Sequence, residues 1–146
     1  MVDSVFTAVN AAFEKAAIDL DDDAPFEARL MTPIRALVEL FAADADLHRI
    51  IMHEGKTAND RTTWLVETHL RPAYDGSIAL IGEGQAAGLV RDGDPTLLHY
   101  TIISIAGTVF SLSPEIKLLD PDSKANNPHA VTALIRDLLM TRPAQS

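Results

Sequence analysis

The stretch MHEGKTANDRTTWLVETHLRP, residues 52–72, gathers two histidines, two glutamates, an aspartate, two arginines and the only tryptophan of the chain. Such residues admit two chemistries: a metal held by imidazole and carboxylate, or acid–base catalysis by a carboxylate–imidazole pair. A metal site would draw on His48, His53 and His69 with Glu54 or Glu67, and the spacing opposes it. Ligands on one helix share a face at separations of three or four, whereas His48 and His53 are five apart. The neighbours His53 and Glu54 point about 100° apart on a helix, and a His-Glu-x-x-His zinc motif needs histidine where Thr57 stands. No metal and no cofactor are therefore expected. An enzyme using the cluster His53, Glu54, Glu67 and His69 is the alternative. Nothing beside it supplies a positioned nucleophile, a phosphate-cradling loop or an oxyanion arrangement, and the glycines of GEGQAAG follow no strand. A helix joint accounts for the stretch better. Gly55 ends one helix, Thr57 with Asp60 opens the next as a capping box, Glu54 and Arg61 form a structural pair across the turn, and Trp64 anchors the new helix in the core.

The elements around this joint read as helices throughout. Apolar residues recur at helical spacing along the chain, and no segment sustains a period of two. One helix carries Val9 and Phe13; a second carries Phe26, Leu30, Ile34, Leu37 and Phe41, with Pro33 inside it as an expected kink or early break. A short third helix spans Asp46 to Gly55, and a fourth presents Trp64, Leu65, Thr68 and His69 until Pro72 interrupts it. Periodicity resumes through Ile78 and Ile81 to a stop at Gly88. Asp94 with Pro95, and Asn127 with Pro128, each read as a cap followed by proline in the first helical position. SPEIKLLDPDSKANN, residues 113–127, reads as a long loop. The expected fold is an all-α bundle of six or seven helices, packed orthogonally or antiparallel, in one domain over residues 1–146.

Composition narrows the function classes. Cysteine is absent, which excludes disulfides, thiolate metal sites and a cysteine nucleophile. The net charge of −9 comes from 21 acidic against 12 scattered basic residues, a poor surface for phosphate backbones, so this chain alone is not expected to bind DNA. The longest apolar runs fall short of a bilayer span and no basic-then-apolar leader opens the sequence, so a soluble, cytoplasmic protein without a membrane partner is expected.

Two segments carry more apolar surface than one bundle of this size needs. LLHYTIISIAGTVFSL is apolar on nearly every side, and AVTALIRDLLM has a wide apolar face. Their pairing across a two-fold axis predicts a homodimer through Ile102, Ile105, Val109, Leu112, Val131, Leu134, Ile135 and Leu138. In the first segment Tyr100, Ser104, Gly107 and Ser111 fall within about 60° of one another, a weakly polar stripe that suits either the close approach of a helix or a ligand.

The order IIMHEG, DRTTWLVETHLRP, EGQAAGLVRDGDP, SIAGTVF, SPE and a closing amphipathic helix resembles the C-terminal regulatory domain of TetR-family transcriptional regulators, over about residues 2–140. The resemblance implies an all-helical domain that dimerises through its last two helices and binds a small-molecule effector. The family's N-terminal helix-turn-helix module has no counterpart in this sequence. Phe41, Met52, Trp64, Thr68, Tyr100 and Ser104 come from helices that the resemblance places around one cavity. With no charge among them, they imply a neutral or weakly polar guest, held by a non-enzymatic repressor module. A freestanding ligand carrier is a further alternative.

Overall fold

The computed structural model describes residues 2–18, 20, 21, 23–54, 56 and 59–141. It is all-α: seven helices, with no strand among the described residues. They are α1 (Val2–Ile18), α2 (Phe26–Ala43), α3 (Ala45–Glu54), α4 over residues 60–86, α5 (Pro95–Ser111), α6 (Ser113–Leu119) and α7 (Pro128–Leu139).

The bundle is organised around α2, which packs against α1, α3, α4, α5 and α7. Its buried residues Leu30, Met31, Ile34, Leu37, Val38 and Phe41 recur at separations of three and four, so one broad stripe faces the core. From α5 come Ile102, Ala106 and Phe110, from α7 Val131, Ile135 and Leu139, and from α4 Ile81, all in the same cluster. The helix starts follow the local chemistry read above. The Asp94 carboxylate accepts from the Thr96 N–H at 2.8 Å, and the Asn127 side chain accepts from the N–H groups of His129 and Ala130 at 2.9 and 3.2 Å. Past the end of α4, Gly88 takes φ +74°, the left-handed value that glycine adopts at no steric cost.

Four expectations change. First, α4 is capped by Asn59, whose side chain accepts from the Thr62 N–H at 2.9 Å; Gly55 and Thr57 lie outside the described residues. Second, Pro33 breaks nothing. Buried residues on both sides of it, Leu30 and Met31 before and Ile34 and Leu37 after, hold one continuous face in the core, and their burial outweighs a proline penalty of about 3 kcal/mol. Third, Pro72 does not interrupt α4. The helix runs Asp60–Leu65, widens to a π-helical turn over Val66–Leu70, and continues Arg71–Ala86, with the Arg71 N–H donating to the Val66 carbonyl five residues back. The wider turn relieves the clash between a proline ring and the carbonyl four residues before it. Fourth, the long loop opens with a helix, α6, whose Pro114 sits in the first turn where a missing N–H costs nothing.

Long-range ties close the bundle. Arg29 of α2 forms a forked pair with Glu83 of α4, Nη1 to Oε2 at 2.9 Å and Nη2 to Oε1 at 2.8 Å. Arg136 Nε of α7 donates to Glu27 of α2 at 2.6 Å. The segment after α4 is stitched to the end of α7: the Arg91 N–H donates to the Leu139 carbonyl at 2.8 Å, and the Thr141 N–H to the Leu89 carbonyl at 2.9 Å. This stitch buries Val90 against Gly84, where any side chain would collide with Val90 and Phe26.

Candidate functional site

The most polar interior position lies where α3 crosses α5. His48 and Met52, one turn apart on α3, face α5, and α5 answers with Gly107 and Ser111, also one turn apart. Lacking a side chain, Gly107 lets the His48 ring lie against the helix backbone; a Cβ there would stand only 2.8 Å from Nε2 and closer still to the ring carbons. His48 is 5% exposed, and the Phe41 ring meets it edge-on at 5.0 Å. The imidazole Nδ1 lies 3.3 Å from Ser111 Oγ, and that hydroxyl donates to the Thr108 carbonyl at 3.2 Å. Nε2 is buried without a hydrogen-bond partner.

Beside this histidine opens a groove of about 450 Å³. His48 and Ser111 form its floor and Met52 and Leu112 its apolar sides; Arg49, His53 and Lys56 stand at its rim with Thr108 opposite. Arg49 is committed locally: Nε and Nη2 donate to the Ser111 carbonyl at 3.2 and 2.8 Å, and Nη1 donates to Asp46 at 2.6 Å. A guanidinium on the last carbonyls of α5 satisfies groups that a helix end leaves unpaired and suits the negative end of the helix dipole.

Of the residues expected to form the pocket, Met52 alone lines this groove. Phe41 is fully buried in the core, and Trp64 is 50% exposed, not a core anchor. Thr68, Tyr100 and Ser104 are exposed. Helix geometry explains the difference. On α5 the inward face belongs to Ile102, Ala106 and Phe110, which turns Tyr100 and Ser104 outward; on α4 Leu65 takes the buried position and Trp64 points aside. The stripe of Tyr100, Ser104, Gly107 and Ser111 therefore divides, and its inner half receives α3. The expected interface divides in the same way. Ile102, Val131 and Ile135 are buried within the protomer and Ile105 and Val109 half-buried, while Leu112, Leu134 and Leu138 are exposed. The buried three are held in the core cluster of the protomer itself.

The residues of the opening stretch are separated by their own neighbours. Glu67 pairs with Arg71 at 3.2 Å, His69 stacks on Phe6 at 5.7 Å with Trp64 edge-on at 5.5 Å, and His53 is exposed. Among the described residues, no three metal-ligating side chains converge. Glu54 and Arg61 do approach, at 3.5 Å, but the Arg61 side chain is 60% exposed. Glu54→Gln is therefore expected to cost less than about 1 kcal/mol in urea unfolding, the range of solvated pairs. A loss near 3 kcal/mol would mean a desolvated pair.

Two pairs between α4 and α5 went unread in the sequence: His99 Nδ1 lies 2.8 Å from Ser77 Oγ, and the Tyr74 hydroxyl 2.6 Å from Thr96 Oγ1. Tyr74 and Tyr100 meet the His99 ring edge-on, and among the described residues no carboxylate hydrogen-bonds to it, so the pair ties two helices without the third member of a nucleophilic triad. The signal for His48 was present in its spacing to Met52 and in the gap at Gly107, but which helix would fill that gap was not.

The chain matches no family model and no curated protein.

Burial lowers the pKa of both His48 and His99; at His48 the backbone of Ile103 offsets this in part, without closing a hydrogen bond to Nε2. Each imidazole thus holds its proton less tightly folded than unfolded. Stability from this source is full above the ordinary value of 6.5 and declines as pH falls from there toward the lowered values. In that window each group contributes a slope of at most about 1.4 kcal/mol per pH unit. Arg29 holds the Glu83 carboxylate low, mainly by its hydrogen bond, so Glu83 adds a loss only as pH falls below about 4.5. Urea unfolding at stepped pH should show decline beginning near 6.5; a flat profile down to pH 5 would contradict the burial of both rings.

Proposed function

We propose that this chain is the effector-binding and dimerisation domain of a TetR-like transcriptional repressor, working in the cytoplasm as a homodimer. Support comes from the residues that carry the resemblance, from the all-helical fold, and above all from one apolar surface. On α7, Val131, Ile135 and Leu139 face inward, whereas Leu134 and Leu138, one turn apart, stand 52% and 39% exposed. Beside Leu138 runs a narrow cleft of about 80 Å³, walled on the α5 side by Leu98, Ile102 and Ile105. An outward leucine pair on the last helix, beside a cleft between it and α5, is the surface a two-fold partner would cover. In the intact regulator a separate reading head would meet DNA, and a guest in the α3–α5 groove would shift the spacing of the two heads.

Leu138→Arg tests the dimer without threatening the fold, because a partly exposed arginine can lift its charge into water in the monomer but not in an apolar interface. Light scattering should give a dimer mass for the parent chain and a monomer mass for the variant, with unchanged helical content. A parent chain that is monomeric at micromolar concentration would sink the reading.

A further inference from the structure

We infer that Ser77 is an acyl-accepting nucleophile: with His99 as its base it takes the acyl group of a small activated ester, an aryl acetate being the simplest, and retains it.

The hydrogen of its hydroxyl sets Ser77 apart. A serine or threonine inside a helix commonly turns its hydroxyl back on a carbonyl of the preceding turn. Thr101 donates in this way to the Leu97 carbonyl at 2.8 Å, Thr132 to that of Pro128 at 2.8 Å, and Ser111 to that of Thr108 at 3.2 Å. Ser77 lies within α4 yet makes no such bond among the described residues; its partner is His99 Nδ1 on α5, at 2.8 Å. The imidazole is therefore the acceptor for that hydrogen. Burial lowers the pKa of His99, so the ring stands neutral at neutral pH with its lone pair available. A hydroxyl within hydrogen-bond reach of a neutral imidazole is the arrangement that activates serine for attack.

The surroundings admit a small reagent. Ser77 is half-buried, Ala73 one turn before it is small, and at the neighbouring Gly76 a Cβ would meet nothing within 4 Å. Tyr74 and Tyr100 meet the His99 ring edge-on at 5.3 and 5.2 Å, and Tyr100 is 54% exposed, an aromatic surface for the aryl end of the ester. Tyr74 also stands one turn before Ser77, its hydroxyl 2.6 Å from Thr96 Oγ1. Two hydroxyls that share one hydrogen bond have one hydrogen left over, and it is the donor at hand for a carbonyl oxygen gaining charge.

As Ser77 Oγ bonds to the acyl carbon, its proton passes to His99 Nδ1 and an electron pair of the C=O bond moves to oxygen. That pair returns as the bond to the aryl oxygen breaks, and the aryloxide leaves with the proton from the imidazolium. The products are acyl-Ser77 and a phenol. Acylation removes the hydrogen that joined Ser77 to His99, and among the described residues no carboxylate hydrogen-bonds to the ring, so hydrolysis lacks the support a triad gives and the acyl group stays.

Mixing the full chain with 4-nitrophenyl acetate tests this. Nitrophenolate should appear in a burst of about one equivalent with little turnover after it, and mass mapping of tryptic peptides should place an acetyl group on Ser77. Slow acetylation of lysines is the background common to every variant. Ser77→Ala, a small change at a half-buried site, should abolish the burst. His99→Gln, which can still hydrogen-bond the hydroxyl, should slow it at least about a hundredfold, the lower end of what a general base supplies. Tyr74→Phe should slow it about tenfold, less than an enclosed oxyanion donor provides. Circular dichroism should show the same helical content in all four chains. Acetylation confined to lysines, a burst that survives Ser77→Ala, or one equally fast in His99→Gln or Tyr74→Phe would overturn the proposal.

Discussion

Phe41→Ala is expected to destabilise the chain by about 3–5 kcal/mol, the cost of emptying a fully packed aromatic site. Phe41 is 0% exposed, sits at the C-terminal end of the α2 stripe, and meets His48 edge-on at 5.0 Å, so both the core and the support of the α3–α5 crossing lose contacts at once. For a chain of this size the melting temperature should fall by about 6–20 °C. The experiment also decides between two roles for the residue. A phenylalanine lining an open ligand cavity would lose affinity on truncation and cost little stability, because its exposed face has no packing to forfeit. A loss below about 1 kcal/mol would place Phe41 in such a cavity and contradict the packing described here.

The second large effect is one of sign. Gly107→Ala replaces the poorest helix former other than proline with the best, a change worth about 1 kcal/mol in favour of the helix. Here the added methyl would overlap the His48 ring, which is buried between α3 and α5 and cannot swing away freely. Overpacking of that kind costs about 1–3 kcal/mol, so the variant should be less stable than its parent. Placing the same substitution on a His48→Ala background removes the obstacle, and there Gly107→Ala should be neutral or stabilising. The four chains form a double-mutant cycle, and its interaction term reads the contact directly. If Gly107→Ala stabilises the parent chain, the imidazole does not rest on the α5 backbone.

Local chemistry made most of the fold legible in advance. The helical period of Leu30, Ile34, Leu37 and Phe41, the cap-and-proline pairs at Asp94 and Asn127, and the left-handed stop at Gly88 are short-range features. Each depends on residues within a turn or two, and each stands in the structure as read. The errors fell where a local rule met a long-range contact. Pro33 and Pro72 are breakers by propensity, yet packing on both sides carries α2 through one and a π turn carries α4 through the other.

The candidate site was less legible because its members come from different helices. Periodicity shows that α5 has an apolar face and a small-residue stripe; it does not show which face turns inward when nearly all sides are apolar. That ambiguity put Tyr100, Ser104 and Trp64 in a pocket and Ile102, Val131 and Ile135 in an interface, whereas the packing leaves the first three exposed and buries the other three within the protomer. The same limit hid His48. Its type and its spacing to Met52 were plain, but the 3.3 Å approach to Ser111, 63 residues along the chain, exists only once α3 settles on the gap at Gly107. The sequence by itself determined the helical class, the helix starts and stops, the missing thiol chemistry and the acidic charge, since these follow from neighbours and from counting. Only the tertiary structure decided which side of each helix is buried and which polar groups share a groove, because rotation about a helix axis is set by the sum of contacts with other helices, and no residue holds that sum alone.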